Sequence, residues 1–222
     1  MIAAIPTFGH LADAAQDLED SLGNIRLIAN LLLSEDHALP EIMRREYLGA
    51  LAEKVSRLQG VAEEMTTLVK IHAHQVEMES CSLHASEIVH QTVEAYSAEA
   101  ARRHVSIQSI VEDGEPLIIG DYWKLSRAIA GVLSAMLRTV APGGSITTTV
   151  ESAQKEVVVT FIRSGKLAPL NPAVSFFPAE QETSSSKLGF TLAEQLVALH
   201  GGSLQAVESA TEMRVTIHLP AK

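Results

Sequence analysis

Two apolar seams near the start of the chain limit what it can fold into. Leu11, Ala15, Leu18, Leu22, Ile25, Ala29 and Leu32 recur at alternating steps of four and three, the spacing that keeps one stripe of a helix against another helix. Leu27, Ile28 and Leu31 widen that stripe to the width a bundle needs. A second seam follows: Leu48, Leu51, Val55, Leu58, Ala62, Met65, Val69 and His72. Between them lies SEDHALPE, where Pro40 fits the first turn of the second helix. Two long amphipathic helices with a short connection predict an antiparallel hairpin. A hairpin alone leaves one stripe half exposed, so two copies are expected to pair into a four-helix bundle, a homodimer through residues 8–74.

After a polar stretch from His74 to Ser82 the pattern becomes α+β. A helix is expected from about Leu83 to Arg103, then short strands VSIQSIV and PLIIG around an EDGE turn. Asp121 is placed to cap the helix WKLSRAIAGVLSAMLRTV. Ala141-Pro142-Gly143-Gly144 turns into the strand SITTTVES, and the β-branched KEVVVTFIRS forms the next. Residues 165–187 lack periodicity and read as a long loop of the kind that carries function. The helix KLGFTLAEQLVALH stops at Gly201-Gly202, and SLQAVES with EMRVTIHLP makes a closing hairpin. The expected domains are residues 1–76, helical, and 80–222, α+β.

Composition narrows the partners. Hydrophobic residues make up 46% of the chain and aromatics 4%, which suits closely packed helices around a real core. A formal net charge of −10 argues against nucleic acid and anionic membranes. No run of about 18 apolar residues is present to span a membrane. The opening MIAAIPTFGH lacks a signal peptide's basic start and apolar core, so a cytoplasmic protein is expected. The single cysteine, Cys81, excludes an intrachain disulfide. His72 and His74 stand two apart and face different sides of a helix, which does not suit a shared metal; no metal site is expected.

Three segments, in order and spacing, carry a resemblance: AAQDLEDSLGNIRLIANLLL from Ala14, GDYWKLSRAIAGVLSAMLRTVAPGGSITTTV from Gly120, and KLGFTLAEQLVALHGGSL from Lys187. Together they resemble the core of two-component sensor histidine kinases, and also histidine phosphotransferases with degenerate ATPase domains. The resemblance implies a dimerisation and phosphotransfer hairpin followed by an α/β sandwich of the gyrase, Hsp90, kinase and MutL type. The loop at 165–187 would be the ATP lid, with Phe176 and Phe177 where the family places its lid phenylalanines.

At the chemical positions the chain departs from that family. Residues 16 to 22, QDLEDSL, match a stretch like His-Glu-Leu-Arg-Thr-Pro-Leu. Gln16 stands in place of the phosphoacceptor imidazole, and an amide nitrogen is not basic. Asp17 keeps the adjacent carboxylate. His10, the nearest upstream histidine, aligns with an apolar position and is a poor substitute. In the first ATP motif Gly131 and Ala135 replace two asparagines and offer magnesium no side-chain oxygen, while Arg138 keeps a positive charge. In the second motif Arg163 replaces the aspartate that accepts from the adenine amino group; a guanidinium only donates. Gly165 survives there. In the third, Lys187 replaces a glycine and Gly189 remains, at an expected helix start where a backbone can approach phosphate.

The resemblance therefore implies a degenerate member. No cofactor is expected, and ATP with magnesium would require compensation from other residues. Asp13, Gln16, Asp17 and Asp20 lie around the face on which family members dock response-regulator receiver domains, although a solvated acidic helix face is the plainer reading. A receiver domain or another histidine kinase is the expected partner. The alternative is a divergent ATP-binding kinase, or a phosphotransferase of a phosphorelay. A third reading has Arg163, Lys166 and Lys187 facing some other anion.

Overall fold

A computed structural model describes residues 7–33, 40–111, 114, 116–153, 155–166, 183–209 and 212–222. Among the described residues the chain divides into two compact units, one holding the first two helices together with residues 183–188, the other holding residues 74–166 and 189–222.

In the first unit, helix α1 spans Thr7–Leu33 and α2 spans Glu41–His72. The two helices touch, with the deepest burial one position beside the predicted seams. Ser21, Ile28, Val61, Leu68 and Ile71 are buried, while the seam residues Leu22, Leu48, Val55 and Val69 stay exposed, Leu22 at 58% and Val69 at 57%. The buried positions precede seam positions by one: Ser21 beside Leu22, Val61 beside Ala62, Leu68 beside Val69, Ile71 beside His72. The physical reason is that each helix carries a stripe wider than one helix–helix contact covers. The deepest burial lies along one edge of it, while Leu18, Ile25, Ala29, Leu32, Leu51, Leu58 and Met65 of the heptad rows are half-buried.

The second unit is a mixed sheet under helices. Strand β1 (Cys81–Leu83) pairs antiparallel with β3 (Ile118–Gly120). Strands β2 (Ser106–Val111), β4 (Ser145–Ala153), β5 (Glu156–Ser164), β6 (Ser203–Glu208) and β7 (Glu212–Pro220) form a second sheet in the order β2-β4-β5-β7-β6. Among the described strands only β2 and β4 run parallel; the other pairs are antiparallel. Strand β1 takes Cys81 and Ser82 from the expected polar boundary and Leu83 from the expected helix, so helix α3 begins at Ala85 and runs to Arg102. Helix α4 is Tyr122–Thr139, and α5 is Thr183–Leu199. Helix α5 thus starts inside the segment expected to be a loop; residues 167–182, including Phe176 and Phe177, lie outside the described residues.

Alternation along the strands decides which side chains face the helices. Val157, Val159 and Phe161 on β5, Ile146 and Val150 on β4, and Val215, Ile217 and Leu219 on β7 are all buried. Ile88 and Val89 of α3, Leu125, Ile129, Val132 and Leu133 of α4, and Leu192 and Leu196 of α5 complete this core.

Candidate functional site

The inward parity of β5 continues one residue past the apolar set, to Arg163. It is fully buried and the largest of the fully buried side chains. Register places it in a row across the sheet, Ile107–Ile146–Arg163–Met213–Glu208. Glu208 is two strands away, about 10 Å at the usual strand spacing, so the arginine reaches past Met213. One terminal nitrogen of the guanidinium donates to Glu208 Oε1 at 3.1 Å, and the other to Thr139 Oγ1 at 2.8 Å. The Thr139 hydroxyl in turn donates to the Met136 carbonyl at 3.0 Å, in the last turn of α4. Arg163 Nε has no hydrogen-bond partner. This overturns the reading in which Arg163 faces an anion from outside, because its charge is spent on internal partners.

Other expected pocket positions gather along α4. Gly131 lies against Gly189 of α5; a Cβ on Gly131 would stand 3.2 Å from the Gly189 carbonyl oxygen. Gly189 is buried inside α5, not at its start, so its backbone N–H belongs to the helix and is not presented to a phosphate. That expectation is corrected: α5 begins upstream, at Thr183. Ala135 is buried on α4. Arg138 donates to Ser134 Oγ at 2.7 Å, one turn back. Gly165 has φ +125°, a conformation that favours glycine, and a Cβ there would lie 2.9 Å from Gly144 Cα. The Lys166 carbonyl accepts from Ala141 N–H at 3.0 Å, which closes the end of β5 onto the turn after α4.

A second polar group sits at the other end of α4. Asp121 caps the helix, its Oδ1 accepting from Lys124 N–H at 3.1 Å, and its Oδ2 accepts from Glu79 N–H at 3.0 Å and from the Lys124 ammonium. Burial opposes ionisation most strongly, but these hydrogen bonds and the Lys124 charge outweigh it and lower the pKa from 3.8 to about 2. The Asp121 N–H donates to His200 Nε2 at 2.9 Å, while His200 Nδ1 bonds the Leu196 carbonyl at 2.7 Å. Nε2 therefore accepts, and the proton is on Nδ1. Gly120 makes room for this ring: a Cβ there would meet His200 Cδ2 and Leu125 Cδ1, each at 2.8 Å.

On α1, Gln16 is exposed and its amide donates to Asp20 Oδ1 at 3.3 Å. The side chains of His10, Asp13, Asp17 and Lys187 lie outside the described residues. Among the described residues no three His, Cys, Asp or Glu side chains are grouped to hold a metal.

Sequence reasoning singled out Arg163, Gly131, Gly165, Gly189 and Asp121 but missed Thr139, Glu208 and His200. The strand alternation that puts Arg163 inward signals the need for a buried counter-charge. Nothing local in the sequence points to Glu208 or His200, which arrive through strand pairing and helix packing.

Residues 120–222 match the family described as histidine kinase-, DNA gyrase B-, and HSP90-like ATPase. The chain is 23% identical over 219 residues to a sensor histidine kinase, CusS, of Escherichia coli O157:H7, covering 95% of this chain and 45% of that one. It thus spans less than half the length of the curated relatives it matches. Among solved structures, the Acinetobacter baumannii histidine kinase AdeS superposes with a TM-score of 0.72 at 11% identity, covering 92% of this chain and 97% of AdeS. The histidine kinase ThkA, solved in complex with the response regulator TrrA, gives 0.70 at 15% identity over 95% of this chain and 60% of ThkA.

Proposed function

We propose, since residues 120–222 form the ATPase portion of a histidine-kinase core, that the chain is a catalytically degenerate member acting in two-component signalling through its partners. The observation that carries this is Arg163: a fully buried guanidinium bonded to Thr139 and Glu208, at the position where the family presents an acceptor to the nucleotide base. Gln16 adds the lack of an imidazole to phosphorylate. No ATP or magnesium takes part in this reading. The described helices are not long and apolar enough to cross a membrane, and a cytoplasmic place in the pathway is part of the proposal.

The first unit supplies the assembly. Helices α1 and α2 are read as a hairpin, and the exposed row Leu22, Leu48, Val55 and Val69 as the face that meets a second copy in a four-helix bundle. The partner is a receiver domain or another histidine kinase, docked near Asp13, Gln16, Asp17 and Asp20. The ThkA complex with its response regulator supports the receiver. Light scattering at micromolar concentration is expected to give twice the chain mass of 23.9 kDa. Val55→Glu places a carboxylate in both copies of the seam and is expected to weaken association by at least about 100-fold, from the loss of apolar burial on each side. A wild-type monomer would remove the bundle.

Radiolabelled ATP, given to the protein alone and with a receiver domain, is expected to leave the chain unlabelled. The second reading, a divergent kinase or phosphotransferase, draws on the ATPase family match. Label on this chain, transferable to a receiver, would establish it in place of the first.

A further inference from the structure

Arg163 occupies a position that strand parity assigns to an apolar side chain, between Phe161 and the end of β5. A leucine or methionine there would fill space without burying a charge, and replacing a buried ion pair by well-packed apolar groups is often neutral or stabilising. The arginine leaves Nε unbonded in the interior, which is unfavourable. Stability alone therefore does not account for it. What the guanidinium does, and a shorter apolar group would not, is reach in two directions at once. It ties the last turn of α4, through Thr139, to the outer strand β6, through Glu208.

We infer that Arg163 is a built-in closure, filling from within the space beneath the C-terminal half of α4 and excluding a nucleotide base from it. The inference rests on the reading above that this domain takes no nucleotide, and it names the residue responsible. A neighbouring feature points the same way. Two residues on from the arginine, Gly165 lies against Gly144, which brings the end of β5 close to the turn after α4. Glu208 is the outer half of the tie: its side chain is 54% exposed, against 0% for Arg163.

The test uses the full chain and three substitutions. Arg163→Ala removes the filling and the tie, Arg163→Gln shortens and discharges the side chain, and Arg163→Met fills the space without tying α4 to β6. ADP and ATP are titrated by calorimetry, with circular dichroism establishing which variants are folded. The expected result is no heat with wild type or Arg163→Met, and binding by Arg163→Ala and Arg163→Gln with a dissociation constant below about 1 mM. If Arg163→Ala does not fold, Arg163→Gln carries the test. Folded Arg163→Ala or Arg163→Gln protein that ignores millimolar nucleotide overturns the closure and leaves the degenerate reading standing. Micromolar binding by wild type overturns the degenerate reading itself, and the closure with it.

Discussion

Replacing Gly202 by alanine is expected to destabilise the second unit by at least about 3 kcal/mol, the upper range for forcing atoms into a packed interior. A Cβ at that position would lie 2.3 Å from the His218 backbone oxygen, 3.0 Å from Val197 Cγ1 and 3.1 Å from Leu219 Cδ2. The carbonyl belongs to β7, so it moves only if β7 moves. The Gly202 N–H also bonds the Val197 carbonyl at 3.1 Å, ending α5. Relief of the clash would therefore disturb a helix end and a strand together. Thermal and denaturant unfolding followed by circular dichroism would measure the loss. Gly49→Ala is the contrast: nothing lies within 4 Å of a Cβ there, and alanine in an exposed helix is favoured over glycine by up to about 1 kcal/mol. Equal stability of Gly202→Ala and wild type would mean that β7 and the α5 end yield freely.

Removing the Asp121 carboxylate is the second large effect, and it carries a pH signature. The folded pKa, about 2, lies below the ordinary 3.8. The unfolded chain therefore binds the proton more tightly. The stabilisation is fully present above the unfolded value and is lost as pH falls through the folded one. The shift corresponds to about 2 kcal/mol at neutral pH. Asp121→Asn keeps an acceptor for the Lys124 N–H but no charge, so it is expected to lose about that amount. Asp121→Ala loses the cap as well, about 3 kcal/mol in all. Stability followed from pH 2 to pH 7 is expected to rise through the acid range in wild type. In both variants that contribution should be missing. An unchanged acid limb in Asp121→Asn would show that another carboxylate sets it.

Much of the α+β order was legible because apolar period changes are strong signals. Val157, Val159 and Phe161 alternate, so β5 is readable. Asp121 stands one residue before an apolar-periodic helix, so its cap is readable too. The α1–α2 contact was not legible in the same way. Leu68 and Val69 are neighbours and both apolar, and sequence does not say which edge of a wide stripe is buried most deeply. Strand β1 was hidden because its three residues, Cys81–Leu83, gain their structure by pairing with β3 rather than from their own propensity. The start of α5 was missed because Thr183 to Ser186 have weak helix propensity. At the site, residue identities showed which groups stand along α4 and β5. They did not show that Arg163 meets Thr139 and Glu208, since those contacts follow from strand register and from the packing of α4 on the sheet.

The order of the large sheet also bears on how the chain folds during synthesis. Strand β7 is made after β6 yet lies between β6 and β5. When Glu208 emerges, β6 has no neighbour to join, and the free side of β5 is an open edge able to pair with another chain. Both are resolved by one late insertion. Glu208 reaches Arg163 only then, so the buried guanidinium waits without its counter-charge until β7 is in place. A chain stopped after Ser209 would on this account lose two strands of amide protection rather than one.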